Sequence, residues 1–277
     1  MPRTVTFPAA VMLTLWCAAR VLVVDAFCGP LERVEFEGAP EPLLGGAVIP
    51  LQGYLAKPQG AGPFPAVIGL HGCAGMPDTT KRKLVDELVG WGYVVLLVDS
   101  FATRGIEHAC TGGVFDIARK RRSDAYGALA FLARQTFVDP QRVAVVGFSQ
   151  GGWVTLLVAD ANSFELFARP SNLRFRAAVA FYPVCRAAGG RPLIPTIILI
   201  GALDEWTPAA DCSQKIAAWG TDGVPIEQVV YPSVHHGFYY LDLRPGRTIF
   251  GRWAEYNEEA ATDANRRMRE FLRRHLN

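Results

Sequence analysis

The residues Gly147-Phe148-Ser149-Gln150-Gly151 place one serine between two glycines, directly after the apolar run Val143–Val146. A strand ending this way must turn sharply into the next element, and the glycines allow a close backbone approach where side chains would clash. Such a turn lifts the hydroxyl clear of a sheet and sets the Gln150 N–H at a helix N-terminus facing the same space. The chemistry this suits is nucleophilic attack on a carbonyl, with Gln150 as one oxyanion donor. Serine needs a base to become a competent nucleophile.

Five histidines are available: His71, His108, His235, His236 and His275. His275 falls in a C-terminal amphipathic stretch and reads as solvated. His235 and His236 come after the expected strand that ends at Tyr231, and two adjacent rings cannot both face one serine. Gly237 suggests a sharp turn that frees the preceding ring, which favours His236, although residue chemistry alone leaves His235 open. The expected orienting carboxylate is Asp204, at the end of the apolar run Thr196–Gly201, with Glu205 its nearest competitor. The chain order Ser149, Asp204, His236 is that of a serine hydrolase built on an open α/β sheet. A second oxyanion donor is expected from the loop after Phe64–Leu70, His71-Gly72-Cys73-Ala74-Gly75, with the Cys73 N–H turned inward. His71 then reads as a structural residue hydrogen-bonded to backbone.

These residues require elements to hold them. Strands are expected over Ala47–Ala56, Phe64–Leu70, Tyr93–Val98, Val143–Val146, Ala177–Phe181, Thr196–Gly201 and Ile226–Tyr231. Helices are expected over Lys81–Trp91, Asp116–Gln135, Gly152–Ala161, Pro208–Trp219 and Asn257–Leu276. From Phe64 onward strands and helices alternate, and the strands are apolar throughout instead of alternating in polarity. That pattern predicts a mostly parallel, doubly wound α/β sheet covered on both faces, in a single domain. The longest irregular stretches, Ser100–Phe115 and Phe238–Trp253, are the loops most apt to carry function.

The 277 residues are 50% hydrophobic, ample for one large core, and a formal net charge of +2 gives no reason to expect nucleic acid. The basic clusters Arg119–Arg122 and Arg266–Arg274 lie at helical spacing and read as solvated helix faces. At the N-terminus, Arg3 precedes an uncharged apolar run that Arg20 interrupts. Residues 1–26 therefore read as an export signal or N-terminal anchor, cleaved after Ala19 or Ala26, ahead of a catalytic domain over 27–277. A periplasmic or secreted enzyme with no stable membrane span after processing is expected, or a cytoplasmic one if the segment is not a signal. Of 6 cysteines, Cys17 would leave with a signal, leaving Cys28, Cys73, Cys110, Cys185 and Cys212. Two bridges and a free thiol suit an oxidising compartment. The pairs His71-Gly72-Cys73 and His108-Ala109-Cys110 could together form a metal site, but both have better uses here and no metal is expected.

The chain resembles the dienelactone hydrolase family of α/β-hydrolases from about Leu51 to Leu276. The likeness rests on His71-Gly-Cys-Ala-Gly75, Asp99-Ser-Phe-Ala-Thr-Arg-Gly105, Gly147-Phe-Ser-Gln-Gly-Gly152, Gly201-Ala-Leu-Asp204 and His236-Gly-Phe238. It implies hydrolysis of small esters or lactones through an acyl-enzyme, without cofactor, and assigns the base to His236. The best-known members carry cysteine where Ser149 stands, so dienelactone itself is not implied as the substrate. Arg104 could hold a substrate carboxylate, the alternative being an ion pair that ties its loop down. Trp153, Trp206 and Phe238 are further candidates for lining the pocket, with core packing the competing role. In such a fold the strands before Cys73 and Cys110 are neighbours, as are those before Cys185 and Cys212, so the resemblance implies these two bridges. A monomer or small homo-oligomer is expected. Two other classes compete: a serine peptidase or acyltransferase with the same triad, told apart by amide turnover, and a non-catalytic binding protein, told apart by failure of Ser149 to take a fluorophosphonate probe.

Overall fold

Among the described residues, eight strands form one sheet in the order β1-β2-β4-β3-β5-β6-β7-β8. They are β1 (Glu32–Glu37), β2 (Pro50–Ala56), β3 (Phe64–Leu70), β4 (Val94–Asp99), β5 (Val138–Phe148), β6 (Ala177–Phe181), β7 (Thr196–Gly201) and β8 (Ile226–Tyr231). The computed structural model describes residues 31–40, 45–111 and 114–277. β1 and β2 run antiparallel at one edge, and every pair from β4 to β8 is parallel. The five residues of β6 and the six of β7 are all buried, which is why those segments are continuously apolar.

The helices are α1 (Asp78–Gly90), α2 (Val114–Ala133), α3 (Gln150–Val158), the short α4 (Ala161–Ser163) and α5 (Arg169–Ser171), α6 (Ala209–Trp219) and α7 (Glu258–Leu276). One face of the sheet packs Leu84, Val85 and Leu88 of α1, Cys212 of α6 and Met268, Phe271 and Leu272 of α7. The other packs Ala125 and Leu129 of α2 with Trp153, Val154 and Leu157 of α3. Asn257 caps α7 by accepting from Ala260 N at 2.9 Å. Acidic residues open that helix and Arg273 and Arg274 close it, matching its dipole.

Apart from shifted bounds, such as β5 beginning at Val138 instead of Val143 and α1 at Asp78 instead of Lys81, the structure departs from expectation in three places. β1 was not anticipated, because Val34 and Phe36 alternate with charged residues on an edge strand. Part of the stretch expected to be irregular after Phe238 is a hairpin of β9 (Arg247–Ile249) and β10 (Arg252–Ala254). The Arg119–Arg122 cluster is not a solvated face: Arg121 and Arg122 are buried. The N-terminal segment read as a signal, and Cys28, lie outside the described residues. Among the described residues no helix is long and apolar enough to cross a membrane.

Candidate active site

Ser149 sits between β5 and α3 with φ 54° and ψ −114°, a positive φ that residues other than glycine seldom adopt. The turn is held by Ser149 N donating to Phe181 O at 2.9 Å and Trp153 N donating to Ser149 O at 2.9 Å. A Cβ at Gly147 would run into the Gly151 carbonyl, and one at Gly151 into the carbonyls of Leu70 and His71. Both glycines are therefore required by close backbone approach.

Three strand ends converge here. His236, after β8, places Nε2 3.0 Å from Ser149 Oγ and Nδ1 2.7 Å from Asp204 Oδ2. Asp204, after β7, is buried. Its Oδ1 accepts from Trp206 N at 2.9 Å and Thr207 N at 2.8 Å. The Thr207 hydroxyl lies 2.9 Å from Asp204 Oδ2. Those donors compensate the charge and fix the carboxylate's orientation toward His236. Trp206 stacks on the His236 ring at 5.4 Å and Tyr182 meets it edge-on at 4.7 Å. His235 faces away and hydrogen-bonds with Leu203 O at 3.1 Å.

The cleft above Ser149 is about 200 Å³ and is lined by Gly72, Cys73, Cys110, Tyr182, Trp206 and His236 among others. Arg247 and Ile249 of the β9–β10 hairpin also line it. A neighbouring cavity of about 340 Å³, lined by Tyr54, Lys81, Asp99 and Phe101, holds neither Ser149 nor His236. Cys73 reaches the cleft on the loop after β3, tied by a disulfide to Cys110 and by Ala109 N donating to Cys73 O at 2.7 Å. Gln150 opens α3 immediately after Ser149.

Behind this loop, His71 is buried with Nδ1 2.7 Å from Gly72 O, while Ser100 N donates to Nε2 at 3.2 Å. Burial first, then the Arg121 charge, hold its pKa well below the ordinary imidazole value, so it stays neutral as the Nδ1–H tautomer. Arg121 donates to His71 O at 2.8 Å, Gln150 Oε1 at 2.8 Å and Ser100 Oγ at 3.1 Å. Sequence reasoning missed this residue. Its signal was helical phase, since it shares a face with Ala118 and Ala125, both fully buried.

Two of the expected pocket residues are corrected outright. Trp153 is buried in the core under α3, where its Nε1 donates to Ala187 O at 2.8 Å. Phe238 is fully buried against Tyr182 and Tyr231. Neither lines the cleft, because apolar rings at these positions face inward from the elements that carry them. Arg104 takes the alternative role: it grips Asp124 through two bonds of 2.9 and 2.7 Å and donates to Ser100 O at 2.6 Å. Of the aromatic candidates, Trp206 lines the cleft. Among the described residues no cluster of His, Cys, Asp or Glu is placed to hold a metal.

A parallel sheet with a strained serine turn after its central strand, and Asp and His on later strand-end loops, has the architecture of the α/β-hydrolases. The chain belongs to the dienelactone hydrolase family, whose model matches residues 51–276, and thereby to the carboxylic ester hydrolases. It is 25% identical over 249 residues to a Synechocystis protein named as a candidate carboxymethylenebutenolidase, covering 82% of this chain and 92% of that one. A solved candidate dienelactone hydrolase from Klebsiella pneumoniae superposes with TM-score 0.61 at 23% identity, over 87% of this chain and 99% of that one. Thermogutta terrifontis esterase 2 superposes with TM-score 0.60 at 20% identity, over 82% and 90% of the two chains. At these identities the two structural likenesses carry the fold.

Proposed function

We propose that this chain is a serine hydrolase of small carboxylic esters or lactones. Ser149 attacks the carbonyl carbon while His236 Nε2 takes its proton, and Asp204 steadies the imidazolium. The N–H groups of Cys73 and Gln150 hold the developing oxyanion, each worth about 3 kcal/mol in the transition state. His236 passes its proton to the leaving alcohol, leaving an acyl-enzyme on Ser149. Water, deprotonated by His236, then releases the acid and restores the serine.

The observation that carries this reading is the continuous contact from Ser149 Oγ to His236 at 3.0 Å and from His236 to Asp204 at 2.7 Å. The dienelactone hydrolase family and the candidate carboxymethylenebutenolidase among the similar proteins support the same substrate class. The two disulfides, Cys73–Cys110 and Cys185–Cys212, support an oxidising compartment and hence export.

The test is hydrolysis of p-nitrophenyl acetate, butyrate and octanoate by wild type and Ser149→Ala. Turnover should fall by roughly 10⁴-fold or more in the variant. Equal rates in both proteins would reject Ser149 as nucleophile, and amide turnover above background would favour a peptidase.

A further inference from the structure

Among the described residues, five buried side-chain nitrogen or oxygen atoms have no hydrogen-bond partner. Three of them belong to residues lining the Ser149 cleft: the Tyr182 hydroxyl, the Trp206 Nε1 and Asp242 Oδ1. Buried polar atoms are paired in the great majority of cases, and a group left alone is disfavoured. These three atoms are closed to solvent but belong to residues that wall one cleft, so a ligand that shifts those side chains can complete them.

Tyr182 and Asp242 are tied down through their other atoms. Tyr182 is buried with φ 37°, a conformation a tyrosine keeps only when its surroundings impose it. Its N–H donates to Leu199 O at 2.8 Å and its carbonyl lies 3.1 Å from the Thr207 hydroxyl. Asp242 turns Oδ2 to Arg247 Nη2 at 3.3 Å, which leaves Oδ1 as an acceptor. Next to them, Tyr240 accepts from Gly72 N at 3.3 Å and keeps its own proton to donate. Burial first, then neighbouring groups that include Asp242, raise the pKa of both tyrosines, so both remain neutral donors.

The set is one carboxylate acceptor among three donors. An aliphatic hydroxyl answers both kinds at once, donating to Asp242 Oδ1 while accepting from a tyrosine. A plain alkyl group satisfies neither, and a substrate carboxylate would meet the like charge of Asp242. We propose that the cleft selects esters bearing free hydroxyl groups, recognised by Asp242, Tyr182, Tyr240 and Trp206. The proposal rests on the ester hydrolysis assigned above to Ser149.

The experiment compares kcat/KM in matched pairs: glycerol 1-butyrate against propyl butyrate, and ethyl 3-hydroxybutyrate against ethyl butyrate. The first pair tests hydroxyls on the alcohol side and the second on the acyl side. p-Nitrophenyl butyrate reports the Ser149 machinery independently. The hydroxylated member of at least one pair should be favoured by about ten-fold or more. Tyr182→Phe and Asp242→Ala should each reduce that ratio at least about three-fold. A ratio taken within one variant cancels losses common to both esters, and the wild-type ratios stand even if a variant fails to fold. Ratios near one in wild type, with p-nitrophenyl butyrate still cleaved, would overturn the proposal. So would ratios that survive both substitutions. If none of the esters is cleaved, the ester hydrolase reading itself fails and takes this proposal with it.

Discussion

His71 and Arg121 are a buried neutral base and a buried cation joined through the His71 carbonyl, and the cation helps keep the base neutral. Among the described residues the acceptors hydrogen-bonded to Arg121 are neutral, and desolvation pulls its pKa down to about 10, so it is still charged near neutrality. Its bonds tie the loops after β3 and β4 to Gln150, which places a positive charge behind the proposed oxyanion donors. His71 cannot take a proton there, whereas the unfolded imidazole does so as pH falls through about 6.5. The unfolded chain then binds more protons, so stability present above that pH is lost below it, by up to about 1.4 kcal/mol per pH unit. Urea midpoints at pH 7.5 and 5.5 should show His71→Gln less stable than wild type at pH 7.5 yet losing less on acidification. Equal losses in the two proteins would place the acid sensitivity elsewhere.

At the scale of elements, the β5–α3 turn depends on how closely α3 approaches the end of β3. A methyl at Gly151 would meet the carbonyls of Leu70 and His71, which are backbone and cannot rotate aside. Gly151→Ala should lower stability by about 3 kcal/mol, the upper part of the range for overpacking, and should impair esterase turnover as the turn shifts. Gly90, the last residue of α1, has nothing within 4 Å of its would-be Cβ. Gly90→Ala is the matched control, expected to be neutral or to stabilise by up to about 1 kcal/mol. Parallel thermal melts check the pair, and equal Tm shifts would refute the close-packing argument. The β9–β10 hairpin acts at the same scale, carrying Phe250 to the rim beside Trp206 and His108.

At the scale of the whole molecule, two disulfides among the described residues cross-link the side of the sheet where the strand-end loops gather. Cys73–Cys110 and Cys185–Cys212 span 37 and 27 residues, with Cα atoms 4.8 Å apart in each. Chain entropy makes each worth about 4 kcal/mol at most. Dithiothreitol should therefore lower Tm, and the two bridges should separate by function. Loss of Cys185–Cys212, through paired alanine substitutions, should cost stability with turnover retained. Loss of Cys73–Cys110 should cost both, because both cysteines line the cleft. Peptide mapping without reductant that finds these four thiols free would remove the basis for this prediction and for an oxidising compartment.

Local pattern made much of the molecule legible in advance. Continuous apolar runs marked Phe64–Leu70, Ala177–Phe181 and Thr196–Gly201 with the same bounds the structure shows, because strands buried on both faces leave no other pattern. The glycines around Ser149 marked the turn, since only a residue without Cβ tolerates that approach. The order serine, aspartate, histidine came from strand ends, while His236 was preferred over His235 through Gly237 and the family resemblance. Tertiary structure decided the rest. It turned His236 and not His235 toward the serine, and it buried Arg121 where a run of basic residues read as solvated. It withdrew Trp153 and Phe238 into the core and brought Tyr182, Trp206 and Asp242 around one cleft. The reason is physical: periodicity reports which face of an element is apolar, whereas what that face meets depends on sheet order and helix packing, which join residues far apart in the chain.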